Sequence, residues 1–230
     1  MRFFQQFKEL TKFEIGLWLI SLVVVSASFF IFQSSDYLTL VSSLIGVTAL
    51  IFLAKGMAVG QVLVIIFAMF YGIVSFFFGY YGEMITYIGM SAPTAAVSLI
   101  SWIRHPYKET SQVEVARYIT KRAVALVAVL TTLVTIAFYF ILGALHNSNL
   151  IVSTVSVTTS FAASMLMIFR VPYFAIAYAA NDIVLIVLWI LASVEDISYV
   201  PMVACFVMFL CNDMYSFVNW RRMRREQQAG

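Results

Sequence analysis

Long apolar runs dominate this chain. Eight stretches, at roughly 15–32, 37–53, 59–78, 84–103, 123–145, 150–169, 173–194 and 200–218, are each close to the ~20 residues a helix needs to cross a bilayer. Lipid offers no hydrogen-bonding partner to a peptide group, so a spanning segment must satisfy its own backbone, and helices do this. The expected fold is all-α: a polytopic membrane protein of eight transmembrane helices. Charged residues make up 11% of the chain, against about 25% in a soluble domain. The first run could pass for a signal peptide, but it is longer than a signal core and seven further runs follow it, so it is read as a helix of the mature protein.

The breaks between runs set the orientation. With the N-terminus in the cytoplasm, the inner segments carry all 14 Lys and Arg residues. They fall in the N-terminal arm, at Lys55, between Arg104 and Arg122, at Arg170 and in the C-terminal tail, while the outer loops hold Asp36, Glu83, Glu195 and Asp196. This positive-inside bias places both termini in the cytoplasm and supports an even number of spans. The basic residues sit at helix ends, so the net charge of +3 does not point to nucleic acid. Cys205 and Cys211 share one run and do not face each other on a helix. No disulfide framework, metal cluster, phosphate loop or nucleophile–base pair is legible, and neither a cofactor nor an enzymatic activity is expected.

A shift of 118 residues lays 60–104 over 178–222 without a gap. Ser75 meets Ser193, Tyr81 meets Tyr199, Met90 meets Met208, Ser98 meets Ser216, and Trp102-x-Arg104 meets Trp220-x-Arg222. The expected organisation is an arm and extra helix (1–36), a three-helix unit (37–104), a loop and linker helix (105–149), a second three-helix unit (150–222) and a basic tail (223–230). Matching helices are four spans apart, so both units point the same way. Parallel repeats around a midplane site are a transporter architecture.

The seventh run carries Asn181 and Asp182 near its middle. A carboxylate at that depth costs at least ~2.5 kcal/mol on insertion scales, so it is expected to face a cavity or a partner. Tyr178, Asn181, Asp182, Leu185 and Trp189 lie on one helical face. The eighth run repeats the pair as Asn212-Asp213, with Ser216 and Asn219 along the same stripe. Amides bind hydroxyls, an indole stacks on a flat ring and a carboxylate offsets a cation, so this set is read as a substrate site. The plainer alternative is that these side chains glue helices together. Tyr71 occupies the repeat position of Trp189 and is a candidate from the first unit. Thr94 and Ala95 stand where the second unit has Asn212 and Asp213, so the expected site is asymmetric. Trp102 and Trp220, each beside arginine, read as interfacial belt residues. Tyr80 and Tyr81 read as interface anchors at the opposite ends, and Ser153, Ser156, Ser160 and Ser164 as a close-packing stripe.

The segments YYGEMITYIGMSAP, SLISWIRHPYK, AYAANDIVLIVLW and CNDMYSFVNW resemble the PnuC family of bacterial vitamin transporters, over the second to eighth runs. The resemblance implies a SWEET-like three-plus-one-plus-three bundle with an added N-terminal helix in the bacterial inner membrane. Where many relatives have Gln and Asn in the third helix of the first unit, this chain has Ile88 and Ala95. The function implied is facilitated uptake of nicotinamide riboside, a vitamin B3 form and NAD precursor, trapped by a cytoplasmic riboside kinase. Thiamine or nucleoside transport on the same scaffold, or proton-coupled vitamin symport, are the alternatives. The partners expected are the vitamin, the lipid bilayer, that kinase and further copies of the chain, and no nucleic acid.

Overall fold

The structure, a computed structural model, describes residues 6–32, 36–77, 81–147 and 149–229. Arg2, the end of the third run at Phe78 and the expected anchor Tyr80 fall outside the described residues. The helices are α1 (Lys12–Ile31), α2 (Tyr37–Ala54), α3 (Ala58–Phe77), α4 (Tyr81–Arg104), α5 (Lys121–Ala144), α6 (Leu150–Ile168), α7 (Tyr173–Glu195) and α8 (Val200–Ala229). All eight are long and apolar enough to span a membrane. Their starts follow local chemistry. Thr11 and Glu14 form a capping box on α1, Asp36 caps α2 through the Thr39 amide at 3.1 Å, and Thr120 caps α5 through the Ala123 amide at 3.2 Å. Asp196 caps the short 3-10 turn Ile197–Tyr199, and the backbone N–H of Ser198 holds its carboxyl below the usual range.

α4 is not uniform. Its turn Tyr87–Ser91 is π-helical, and α-helix resumes at Ala92. Pro93 explains the wide turn: it lacks an N–H, and its ring would collide with the carbonyl of Gly89.

Helix contacts fall into two matching sets. α2 packs on α3 and α3 on α4; α6 packs on α7 and α7 on α8; α4 crosses to α6 and α8 crosses to α2. α5 packs on α6, and α1 packs on α2 and α8. The ends of α2 and α6 are built alike. Gly56 (φ 72°) and Arg170 (φ 57°) each take the left-handed turn that closes a helix. Their amides donate to Leu53 O and Met167 O, at 2.9 and 3.0 Å.

Every described Lys and Arg sits at the end of the bundle that carries the long loop 105–120, hereafter the loop end. The loop is not wholly exposed to solvent: Val113 and Val115 are buried beneath the bundle. The Val113 amide donates to Gly56 O and the Ala116 amide to Arg170 O, at 2.8 and 3.0 Å. The expected basic tail continues α8 by ten residues or so, since Arg, Glu and Gln favour helix. Met223 is buried there, and Gln227 clamps the loop by donating to Val113 O and accepting from the Val115 amide.

The extra helix is fixed by a buried carboxylate. Glu14 is 1% exposed and accepts from Lys55 Nζ at 3.1 Å, Tyr215 Oη at 2.8 Å and the Thr11 amide at 2.6 Å. Removing one partner of such a pair leaves an uncompensated charge. Lys55→Met is expected to cost about 3 kcal/mol and to lower the thermal midpoint in detergent by ~5–10 °C. A midpoint within a degree of the parent would mean that Tyr215 and Thr11 suffice.

Candidate functional site

Between the two sets of helices lies a cavity of about 110 Å3, counted as room for the centre of a water molecule. One water needs ~10–15 Å3 on that measure, so the space takes a ligand rather than a single solvent molecule. It is walled from both sides. α3 gives Gln61 and Phe67; α4 gives Tyr87, Ser91, Thr94 and Ser98. α6 gives Ser160 and Ser164; α7 gives Tyr178, Asn181 and Asp182; α8 gives Asp213 and two phenylalanines. The π turn of α4 spans the Tyr87 and Ser91 wall, so the irregular backbone sits where the cavity is.

The polar groups are positioned by neighbouring helices. Asn181 Oδ1 accepts from Ser156 Oγ and Thr159 Oγ1 of α6, each at 3.0 Å. With Oδ1 occupied, the remaining hydrogen-bonding group of Asn181 is its amide N–H2. Tyr178 Oη and Ser164 Oγ are 2.8 Å apart. The serine stripe of α6, read from sequence as a packing surface, thus supplies hydroxyls to α7. Asp182 is 3% exposed and Asp213 4%, and the two carboxyl groups are within hydrogen-bonding reach of each other. No donor reaches Asp182 Oδ2, Gln61 Oε1 or Ser98 Oγ among the described residues. The lining contains no Lys, Arg or His among the described residues. The cavity is therefore an acidic, hydroxyl-rich space with unsatisfied acceptors.

Other singled-out residues lie elsewhere. Asn212, wholly buried, donates to Ser21 Oγ of α1 at 3.0 Å and to Met208 O at 2.7 Å. Ser216 is buried outside the lining. Trp189 and Tyr71 belong to an aromatic cluster with Phe67, Tyr87 and Phe206 beside the cavity, and the Trp189 ring lies 5.6 Å from that of Tyr199.

Asn219, Trp102 and Trp220 form a different construction. The two tryptophans are not belt residues: they are 2% and 0% exposed, with ring centroids 5.3 Å apart. Trp102 Nε1 donates to Met167 O at 3.2 Å and Ser101 Oγ to Ile168 O at 2.8 Å, at the end of α6. Trp220 Nε1 donates to Leu53 O at 2.9 Å and Asn219 Nδ2 to Ala54 O at 2.8 Å, at the end of α2. Each half thus caps the other half's first helix with the same two positions.

Sequence reasoning passed over Gln61 and Tyr87, isolated polar residues whose only signal was their apolar surroundings, and it matched Ser98 to Ser216 without placing Ser98 at the site. It also placed Glu83 in an outer turn. Glu83 lies in the first turn of α4, and its carboxyl accepts from the Tyr71 and Ser75 hydroxyls of α3.

Comparison with known proteins gives the architecture a family. The chain is 28% identical to the nicotinamide riboside transporter PnuC of Neisseria mucosa, covering 93% of this chain and 82% of that protein. It is 22% identical to the protein of that name from Haemophilus influenzae, covering 90% and 89%. A solved structure, "Crystal structure of the Vitamin B3 transporter PnuC", superposes with a TM-score of 0.78 at 26% identity, over 95% of this chain and 94% of that one. The nicotinamide mononucleotide transporter family matches residues 36–222, the whole bundle apart from the arm, α1 and the tip of α8. With that match across most of its length, this chain belongs to the nicotinamide mononucleotide transporter family, and it is a multi-pass membrane transporter rather than an enzyme.

Proposed function

We propose that the chain carries nicotinamide riboside into the bacterial cytoplasm across the inner membrane. One observation carries the choice of ligand: the paired carboxyl groups of Asp182 and Asp213 line a cavity without a Lys, Arg or His among its described residues. The riboside has a pyridinium cation and a neutral sugar, which such a cavity suits. The mononucleotide adds a phosphate, which meets two carboxyl groups and no cation. The Asn181 amide serves the ribose hydroxyls or the carboxamide, and Tyr178 and the α6 serines complete the polar wall. Asn212 and Asn219 support the site through α1 and α2.

Residues 37–104 and 150–222 act as two parallel units that rock about the cavity, with α5 as linker and α1 as a peripheral addition. Clustering of the described Lys and Arg at the loop end favours both termini in the cytoplasm. Transport is passive, and a cytoplasmic kinase traps the riboside by phosphorylating it.

Calorimetry on detergent-purified protein tests this reading with riboside, mononucleotide and thiamine in parallel. The riboside is expected to bind at micromolar or tighter affinity, and the mononucleotide at least ~100-fold more weakly, as burying an unpaired phosphate against carboxylates demands. Equal or tighter binding of the mononucleotide would overturn it. Binding of thiamine alone would keep the cation site and replace the substrate.

A further inference from the structure

We propose that Glu83 forms a second cation-binding site, separated from the cavity by an aromatic layer, where the cationic ligand is held on its way to Asp182 and Asp213. Glu83 sits in the bundle half remote from the loop end. Every described Lys and Arg lies at the other end, so none of them neutralises its carboxylate. Its partners are two hydroxyls, those of Tyr71 and Ser75 one turn apart on α3. They orient the carboxyl without cancelling its charge, and a carboxylate in a spanning helix is costly unless it serves a cavity or a pathway.

The aromatic rings connect this carboxylate to the cavity. Tyr71, which donates to Glu83, has its ring centroid 4.6 Å from that of Tyr87. Phe67 lies 5.6 Å from Tyr87, edge to face, and 5.8 Å from Tyr71. Phe67 and Tyr87 also line the cavity. Glu83 lies one turn before Tyr87 on α4, and Tyr87 and Ser91, the two ends of the π turn, both line the cavity, so α4 leads from the outlying carboxylate, past the rings, to the cavity wall. Ring faces attract cations most strongly where water is excluded. A cation leaving Glu83 therefore meets π faces before it meets the aspartates, and a neutral ligand gains nothing from the arrangement. The distant carboxylate raises the local concentration of a cation at the mouth of the path.

The inference rests on the riboside reading, and the experiment separates the two. Initial uptake into proteoliposomes is measured below saturation for nicotinamide riboside and for its reduced, uncharged dihydropyridine form. Glu83→Gln is expected to lower uptake of the cation at least ~10-fold and of the neutral form less than about twofold. Glu83→Asp restores the carboxylate and is expected to return cation uptake to within about threefold of the parent. Equal losses for both ligands, or unchanged uptake of the cation, would overturn the proposal; so would a Glu83→Asp variant no better than Glu83→Gln. If the unmodified protein takes up neither form, the substrate reading fails first and the proposal falls with it.

Discussion

Replacing Asp182 and Asp213 together by asparagine is expected to weaken binding of the cationic riboside at least ~10-fold, while either replacement alone changes it less than about threefold. The contrast follows from the geometry. Two carboxyl groups within hydrogen-bonding reach need a proton between them, because two carboxylates offer only acceptors. A pair sharing one proton carries one negative charge, which matches a monovalent cation. Asparagine at either position donates an N–H to the remaining carboxylate, as the protonated partner did, so a single replacement keeps both the hydrogen bond and the charge. The double replacement removes the charge from a lining without any other ionised side chain among the described residues. At an effective dielectric near 20, two unit charges 4 Å apart attract by about 4 kcal/mol, and half of that surviving the cost of desolvation would still exceed a tenfold effect. Calorimetry on the two single variants and the double variant reads this directly. The uncharged dihydropyridine riboside is the control, expected to lose little in any of them. A single variant as impaired as the double would show that both carboxyl groups are needed to hold the ligand, and it would overturn the shared-proton account.

Much of the fold was legible because lipid permits so few structures. An apolar run of about 20 residues must be a helix there, so the eight runs translated into eight spans with boundaries off by a few residues. The tail of α8 was missed because nothing around Met223 and Gln227 announces that one will be buried and the other will grip a loop. Trp102 and Trp220 misled for a physical reason: a tryptophan beside arginine at a span's end has the same local sequence whether it faces lipid headgroups or a neighbouring helix. Their matched positions in the repeat were the better signal. The site divided along similar lines. Asn181 and Asp182 both reach the cavity, whereas of Asn212 and Asp213 only the aspartate does. Neighbouring residues on a helix point about 100° apart, and α1 covers the side of α8 where Asn212 emerges. α1 lies outside the repeat, so no internal comparison could reveal that cover. Glu83 was hidden by its setting after a turn, where an acid reads as solvated. Tyr71 and Ser75, which bind it, lie on the preceding helix, and only the folding back of α4 on α3 brings them to it.

Trp220→Ala is expected to lower the thermal unfolding midpoint in detergent by about 10 °C, on the order of 3–5 kcal/mol, with Trp102→Ala close behind. Three losses combine. The indole is wholly buried, edge-on to Phe174 at 4.8 Å and against Trp102 at 5.3 Å, so truncation opens a void at the junction of the two units. Its N–H is the second donor to Leu53 O, which also accepts from the Gly56 amide, and truncation would leave that buried carbonyl with one partner of two. The void also undercuts Val113, Val115 and Met223, which pack in the same cluster and hold the loop in place. Trp220→Phe keeps most of the packing and loses the donor, so it is expected to cost about 1–3 kcal/mol, between parent and alanine variant. Because the two rings touch, the double variant Trp102→Ala with Trp220→Ala is expected to cost less than the sum of the single losses, by ~0.5–3 kcal/mol. Differential scanning fluorimetry on the four variants completes the cycle. A midpoint for Trp220→Ala within about 2 °C of the parent is what a tryptophan facing lipid headgroups would give, and it would remove the reciprocal caps as a source of stability.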